Sequence, residues 1–315
     1  EVVREISRAF PNCPLIIGGE HATAAPEHIL DECPGVTAIA LGEGEETLVE
    51  FLDACGQGRP LDTVPGLCIP QAGSVSFLRT PPRKRQRKLD DIPWPDWESV
   101  PLEKYLEMRV GYGVSGSRNM PMLASRGCPY ECTFCSSPQM WGRLWNVRSS
   151  EDVLAEMKHN IARYNVDSIS FYDLTTVVRR SWIVEFAQRL IEEDLGIRWY
   201  LPSGTRSEAL DAEVIALLKR SGCTSLAYAP ESGSPRTLAR IKKKVHLDRM
   251  LASMRACTRE GVISKGHIVL GFPGEPPREL LHTAWFLVKM AWAGVNDVAV
   301  YRFMPYPGNV FYEDL

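Results

Sequence analysis

Met122-Leu123-Ala124-Ser125-Arg126-Gly127-Cys128-Pro129-Tyr130-Glu131-Cys132-Thr133-Phe134-Cys135 places a short apolar run directly before three cysteines spaced C-x3-C-x2-C. Such a run reads as a strand ending in a ligand loop. Three thiolates on one short loop hold three irons of a cubane iron-sulfur cluster and leave the fourth iron open to a further ligand. Zinc is the competing reading, because closely spaced thiolates also build structural zinc sites, but zinc needs a fourth ligand. The nearest downstream histidine is His159, inside an expected helix, and no further cysteine lies close by. Cys13, Cys33, Cys55, Cys68, Cys223 and Cys257 are scattered singly, as in a reduced intracellular protein.

The 315 residues, 44% hydrophobic and 24% charged, suffice for one large or two ordinary domains with a sizeable core. A net charge of -3 gives no general reason to expect a nucleic acid or a membrane surface as partner. No apolar run approaches the roughly 18 to 20 residues of a membrane span, and the first residues lack the order of a signal peptide, so a cytoplasmic location is expected. The chain starts at Glu1 and reads as helix from Val2 to Phe10 at once, which suggests an excised segment.

Downstream of the cysteines, strand-like runs alternate with helical ones. Ser168–Tyr172, Ile197–Leu201, Thr224–Ala229, Gly266–Leu270 and Asp297–Phe303 join Met122–Ala124 to make six strands. Val153, Met157 and Ile161 mark one helical face between them, and Val214, Leu217 and Leu218 another. Boundary residues agree: Ser149 and Asp211 suit helix starts, Pro235 a first turn, and Gly222 and Gly261 helix ends. Six β-α units predict a parallel, incompletely closed barrel with its chemistry at the carboxyl ends of the strands.

Upstream, Leu15-Ile16-Ile17-Gly18-Gly19 and Val36 to Leu41, the latter followed by Gly42-Glu43-Gly44, read as two buried strands ending in glycine turns. Their β-α-β-α order predicts a parallel sheet. Residues 56–100 read as a connector with a hairpin from Gly66-Leu67-Cys68-Ile69 and Ser74-Val75-Ser76-Phe77. Its basic run, Pro82-Arg83-Lys84-Arg85-Gln86-Arg87-Lys88, is expected to be a solvated loop, with nucleic-acid contact as the alternative.

The cysteine loop, with aromatic Phe134 before its last cysteine, closely resembles the signature of the radical S-adenosylmethionine (radical SAM) enzymes. That resemblance implies a 4Fe-4S cluster on Cys128, Cys132 and Cys135, with SAM chelated by the open iron and cleaved to a 5′-deoxyadenosyl radical. It also implies an external reduced ferredoxin- or flavodoxin-type electron donor and a small-molecule or natural-product-like substrate. Strand-end residues then acquire implied SAM-binding roles. Asp173 would receive the amino group, Arg206 would face the cofactor, and Glu231, in a turn resembling the family's Glu-Ser-Gly-Ser, would contact SAM or orient Arg206. Gly271 stands in the adenine-side turn, although Leu270 and Gly266 depart from the stricter Gly-x-Ile-x-Gly-x-x-Glu form. Phe134 completes the set. Tyr301, Phe303 and Tyr306 are candidates either for barrel core or for a substrate cavity.

The upstream glycine turns resemble the last third of the cobalamin-binding domain that precedes the radical module in one subgroup, with Gly18, Gly19, His21, Gly42, Glu43 and Gly44 as candidate cobalamin contacts. The Asp-x-His-x-x-Gly motif of classical cobalamin domains is absent from the chain. Ile92-Pro93-Trp94-Pro95-Asp96-Trp97 resembles the strap of the same subgroup. The expected fold is therefore α/β: a partial (β/α)6 TIM-type barrel over 110–315, preceded by the C-terminal part of a Rossmann-like cobalamin-binding domain over 1–57, with a linker and hairpin over 58–109. The expected reaction is cobalamin-dependent methylation or oxidative rearrangement of an unreactive carbon, with no residue singled out as catalytic. A cobalamin-independent enzyme, such as a methylthiotransferase, and a zinc-stabilised α/β binding protein without catalysis are the rival readings.

Overall fold

A computed structural model of the chain describes residues 1–71, 76–111 and 114–313. Its contacts divide it into two units, one formed by residues 1–87, 133–142 and 305–315, the other by residues 88–132 and 143–304.

The smaller unit carries a four-stranded sheet in the order β1 (Ile16–Ile17), β2 (Ala38–Ala40), β3 (Leu67–Pro70) and β4 (Phe77–Arg79). β1 and β2 are parallel, as the β-α-β order requires, whereas β3 runs antiparallel to β2 and β4 antiparallel to β3. The sheet is thus mixed rather than parallel, and its second half comes from the stretch expected to be a linker. Cys68 pairs with Arg79 in that hairpin; Ser74 and Val75, expected to open its second strand, lie outside the described residues. From Lys88 onward the same stretch belongs to the larger unit. Ile39 and Cys68 are buried against Ala22, Leu30 and Val36 on one side of the sheet, while Ala38 and Leu67 meet Phe51 and Ala54 of helix Glu45–Gln57 on the other. That alternation is the period-2 pattern of a strand covered on both faces.

The basic run is only partly a solvated loop. Arg83 donates to Thr47 Oγ1 at 2.8 Å and pairs with Glu46 at 3.0 Å and Glu50 at 2.7 Å. Arg85 donates to the carbonyl of Trp141 at 2.6 Å and lies over its ring, 5.4 Å from the centroid. Lys84, Arg87 and Lys88 are exposed. Extended backbone sends alternate side chains to opposite sides, so the run divides between helix-facing arginines and solvent.

In the larger unit a short antiparallel pair, β5 (Val110–Gly111) with β6 (Val114–Ser115), precedes the main sheet. The main sheet holds β7 (Asn119–Met122), β10 (Ser168–Phe171), β11 (Arg198–Thr205), β12 (Cys223–Glu231), β13 (Ile263–Leu270) and β14 (Asp297–Arg302), all parallel and in chain order. Between β7 and β10, a second antiparallel pair is made by β8 (Ser125–Arg126) and β9 (Asn146–Val147). β7 and β14 are the two edges, so the barrel is open. The first strand lies three residues earlier than expected because Pro121 disguises it; proline fits only where a strand edge needs no further donor.

Met120, Met122, Ile169, Phe171, Trp199, Leu201, Leu226, Tyr228 and Ile268 point to the helical side and form the core with helices Ser150–Tyr164, Arg180–Glu193, Ala212–Arg220, Leu247–Glu260 and Pro277–Trp292. Phe186 packs 5.7 Å from Phe171, 5.5 Å from Trp199 and 5.4 Å from Trp182, ring centroid to ring centroid. Such pairs add about 0.5 to 1.5 kcal/mol each beyond area burial. Ser149, Asp211 and Ser234 accept the N–H groups of Asp152, Val214 and Thr237 and so start their helices. Gly222 is fixed by close approach: a Cβ there would meet the Ile197 carbonyl oxygen at 2.4 Å. No described helix is long and apolar enough to cross a membrane.

Candidate functional site

The cysteine loop is clamped at its root. Arg148 donates to the Leu123 carbonyl at 2.9 Å, and Asp173 accepts the N–H groups of Ala124 and Ser125 and, at 2.5 Å, the Ser125 hydroxyl. Asp173 is only 1% exposed, and burial pushes its carboxyl up to about 6 although the same hydrogen bonds pull it down. The residue expected to receive an amino group is therefore occupied in fastening the end of β7 to the end of β10. Gly127 follows at φ 86°, which favours glycine, and turns the chain into Cys128.

Cys128 and Cys132 lie in the larger unit, partly exposed. The thiol of Cys132 stands 4.0 Å from the Lys242 carbonyl oxygen. Burial raises its pKa, while the positive charges of Lys243 and Arg206 oppose that rise and favour the thiolate that a metal needs. Tyr130, between the two cysteines, carries the guanidinium of Arg206 over its ring, 3.4 Å from the centroid. Arg206 sits at the end of β11, 6% exposed, with Glu208 at 3.6 Å. Its buried Nε has no hydrogen-bond partner.

Glu231 ends β12 at φ 64°, in the left-handed region where a non-glycine residue stores strain. Its carboxylate meets Lys243 Nζ at 2.9 Å, both side chains being 10% exposed. Burial would lower the Lys243 pKa, but Glu231 and Cys132 outweigh it, so the ammonium is held charged. The partner of Glu231 is thus Lys243 rather than Arg206. The rest of that turn is architectural. Ser232 and the Gly233 N–H both meet Thr283 Oγ1, and a Cβ on Gly233 would stand 2.3 Å from Phe286 Cβ, so the turn lies flat against helix Pro277–Trp292.

Gly271 follows β13 at φ 82° with nothing within 4 Å of where a Cβ would stand. Its N–H donates to Glu275 at 3.2 Å, and Thr237 donates to the other oxygen of that carboxylate at 2.9 Å. Glu275 therefore closes the turn despite the irregular glycine spacing before it. On the sheet face opposite the core, Lys265 pairs with Asp297 at 2.7 Å, and His267 stacks on Tyr301 at 5.7 Å. Burial lowers the His267 pKa and keeps the ring neutral. Tyr301 is 43% exposed, and Phe303 packs on Phe272 at 5.3 Å, so neither belongs to the main core; Tyr306 falls in the smaller unit and is exposed.

Cys135 and Phe134 belong to the smaller unit, where Cys135 Sγ accepts the Ser137 N–H at 3.4 Å. The glycine turns stand there at the carboxyl ends of β1 and β2. Gly19 has φ 102° and Gly42 φ 76°, and the Gly42 N–H donates to Thr23 at 3.0 Å, joining the two turns. Gly18 follows β1, with Ala40 Cβ 3.6 Å from where its own Cβ would stand, while nothing lies within 4 Å of such an atom on Gly44. His21 is exposed on helix Glu20–Ala24. Glu43 is turned inward: it accepts the Gln86 N–H at 2.7 Å and has Arg85 Nε 3.7 Å away.

Sequence reading missed Tyr130 and Lys243. An aromatic ring between two cysteines of the motif and one lysine of the Lys242-Lys243-Lys244 run carry no spacing signal. His159, the zinc alternative's nearest imidazole, lies between the rings of Trp94 and Tyr164 at 5.6 and 6.2 Å. Among the described residues no three His, Cys, Asp or Glu side chains are placed to hold a single metal ion.

An uncharacterised methyltransferase of Pyrococcus horikoshii is 31% identical over 305 residues, covering 96% of this chain and 63% of its own length. Two solved structures share the fold. One is the radical SAM methyltransferase TsrM of Kitasatospora setae with tryptophan and a SAM analogue bound, at TM-score 0.77 and 18% identity over 98% of this chain and 59% of that one. The other is the cobalamin-dependent radical SAM enzyme OxsB with aqua-cobalamin and SAM, at TM-score 0.74 and 17% identity over 91% and 40%. The chain thus spans less than two thirds of each. The profile of the radical SAM superfamily matches residues 122–287, from the end of β7 to the last helix of the barrel, and the chain belongs to that superfamily.

Proposed function

We propose that Cys128, Cys132 and Cys135 hold a 4Fe-4S cluster and that the strand ends of the larger unit bind SAM beside it. The observation that carries this reading is Arg206, a buried guanidinium stacked on Tyr130 in the cysteine loop, whose Nε makes no hydrogen bond and has the Glu208 carboxylate 3.6 Å away. A buried donor that makes no hydrogen bond has capacity for a further acceptor, and a guanidinium suits a carboxylate such as that of methionine. When bound, the cluster supplies the electron that splits the SAM sulfonium to a 5′-deoxyadenosyl radical.

The chain's own residues then have distinct tasks. Arg206 orients the SAM carboxylate, and Tyr130 holds the planar guanidinium in place against the loop. Glu231 and Lys243, fixed to each other, present one carboxylate edge to ribose or amino groups while the ammonium favours the thiolate of Cys132. Gly271, open on its Cβ side, admits a flat base against backbone. Phe134 directly precedes the third cysteine in the chain. Asp173 works indirectly by holding Ala124 and Ser125.

In the whole protein the radical is proposed to serve cobalamin-dependent methylation or oxidative rearrangement of a small-molecule carbon. The glycine turns after β1 and β2 support that reading, Gly18, Gly19, Gly42 and Gly44 leaving backbone accessible to a corrin, with His21 exposed beside them. Glu43, which accepts the Gln86 N–H, would act there by holding the turn after β2 in place. Anaerobic reconstitution followed by iron and sulfide analysis tests the cluster: close to four of each per chain is expected, and stoichiometric zinc without sulfide would end the reading. Cobalamin retention on gel filtration tests the second cofactor separately.

A further inference from the structure

We propose that the basic loop following the short helix Pro235–Arg240, together with the first turn of helix Leu247–Glu260, is the docking face for an acidic one-electron carrier protein that reduces the cluster. The inference rests on the cluster reading above and goes beyond it by locating the partner.

The loop touches the site, since the Lys242 carbonyl lies 4.0 Å from Cys132 Sγ. Beyond Lys243, which is committed to Glu231, the loop turns its charge outward: Lys242, Lys244 and Arg249 are exposed. Among the described residues none of these three makes an ion pair, in contrast to Arg180, Arg118 and Lys265 elsewhere on the same unit. Lys244 and Arg249 line a cavity of about 960 Å³ whose far wall is helix Pro277–Trp292, with Lys289 and His282 adding to its basic lining and Trp285 to its apolar part. Asp248 is the one carboxylate among the described residues lining it.

A chain of net charge -3 repels an acidic protein at long range, so productive encounter needs a local basic face. Unpaired cations around a concavity steer an acidic surface and set its orientation, while the indole of Trp285, 51% exposed, supplies the apolar contact that holds it. Docking here brings the donor's centre against the loop that contacts Cys132. In the step itself one electron leaves the reduced flavin or iron-sulfur centre of the carrier and enters the cluster, with no bond made or broken.

The test compares reductants on the reconstituted protein. Cluster reduction is followed by stopped flow with a reduced acidic flavodoxin and, separately, with dithionite, for the unaltered chain and for Lys244→Glu/Arg249→Glu. The flavodoxin rate at low salt is expected to fall about tenfold or more and to lose much of its salt dependence, with the dithionite rate unchanged. The milder Lys244→Gln/Arg249→Gln pair is expected to lie between. An unchanged flavodoxin rate, or an equal loss with both reductants, would overturn the proposal. Failure of dithionite to reduce the unaltered protein would instead sink the cluster reading beneath it.

Discussion

Arg206 stacks on Tyr130 with its guanidinium carbon 3.4 Å from the ring centroid, joining the end of β11 to the cysteine loop. On the proposed reading a flat, delocalised cation serves both contacts, the ring taking one face and the SAM carboxylate the edge. Arg206→Lys is therefore expected to weaken SAM binding about ten- to hundredfold while leaving iron content unchanged. Equilibrium dialysis with SAM checks it, and unaltered affinity would place the carboxylate elsewhere.

Lys243 and Glu231 form a pair in which neither side chain is more than 10% exposed. Removing one partner strands the other charge. Lys243→Met alone is expected to cost about 3 to 5 kcal/mol, and Glu231→Gln with Lys243→Met together to recover most of it. Urea unfolding of these two variants and of Glu231→Gln alone decides; additive losses would mean that the pair is not coupled.

Asp173 gives a pH signature. Its folded pKa of about 6 lies above the ordinary 3.8, so the folded chain holds the proton more tightly than the unfolded one. Its contribution to stability is present below about pH 4, is lost as pH rises to about 6, and is flat above, a change of about 3 kcal/mol. Asp173→Asn is expected to remove that slope and, by loosening Ala124 and Ser125, to lower iron retained per chain. Parallel stability curves for the two proteins between pH 4 and 6 would contradict the assignment.

Gly233→Ala drives a methyl group into helix Pro277–Trp292, 2.3 Å from Phe286 Cβ. Overpacking of this kind costs about 1 to 3 kcal/mol. A denaturation midpoint equal to that of the unaltered chain would show that the helix yields freely.

Much of the barrel was legible because helix and strand periods differ and caps are local. Ser149, Asp211 and Gly261 marked their boundaries by hydrogen-bonding chemistry that acts within one turn. Pro121 misled because an edge strand tolerates what a central strand does not. β3 and β4 were found as a hairpin, but the pairing of β3 with β2 depends on a strand made of residues about 30 positions away, which no local pattern encodes. The basic run misled for a similar reason, since Arg83 finds its carboxylates on a helix formed earlier in the chain. In the site, the cysteines, Arg206, Glu231 and Gly271 announced themselves by motif and by strand end. Asp173 was placed at the right strand end, but its partners are backbone groups of β7's exit, invisible in composition. Lys243 and Tyr130 matter through contacts alone.

The central claim is tested most directly by incubating the reconstituted chain anaerobically with dithionite and SAM and measuring 5′-deoxyadenosine, with Cys132→Ala alongside. Product from the unaltered chain and none from the variant is the predicted result. An intact, reduced cluster that leaves SAM uncleaved would contradict the account.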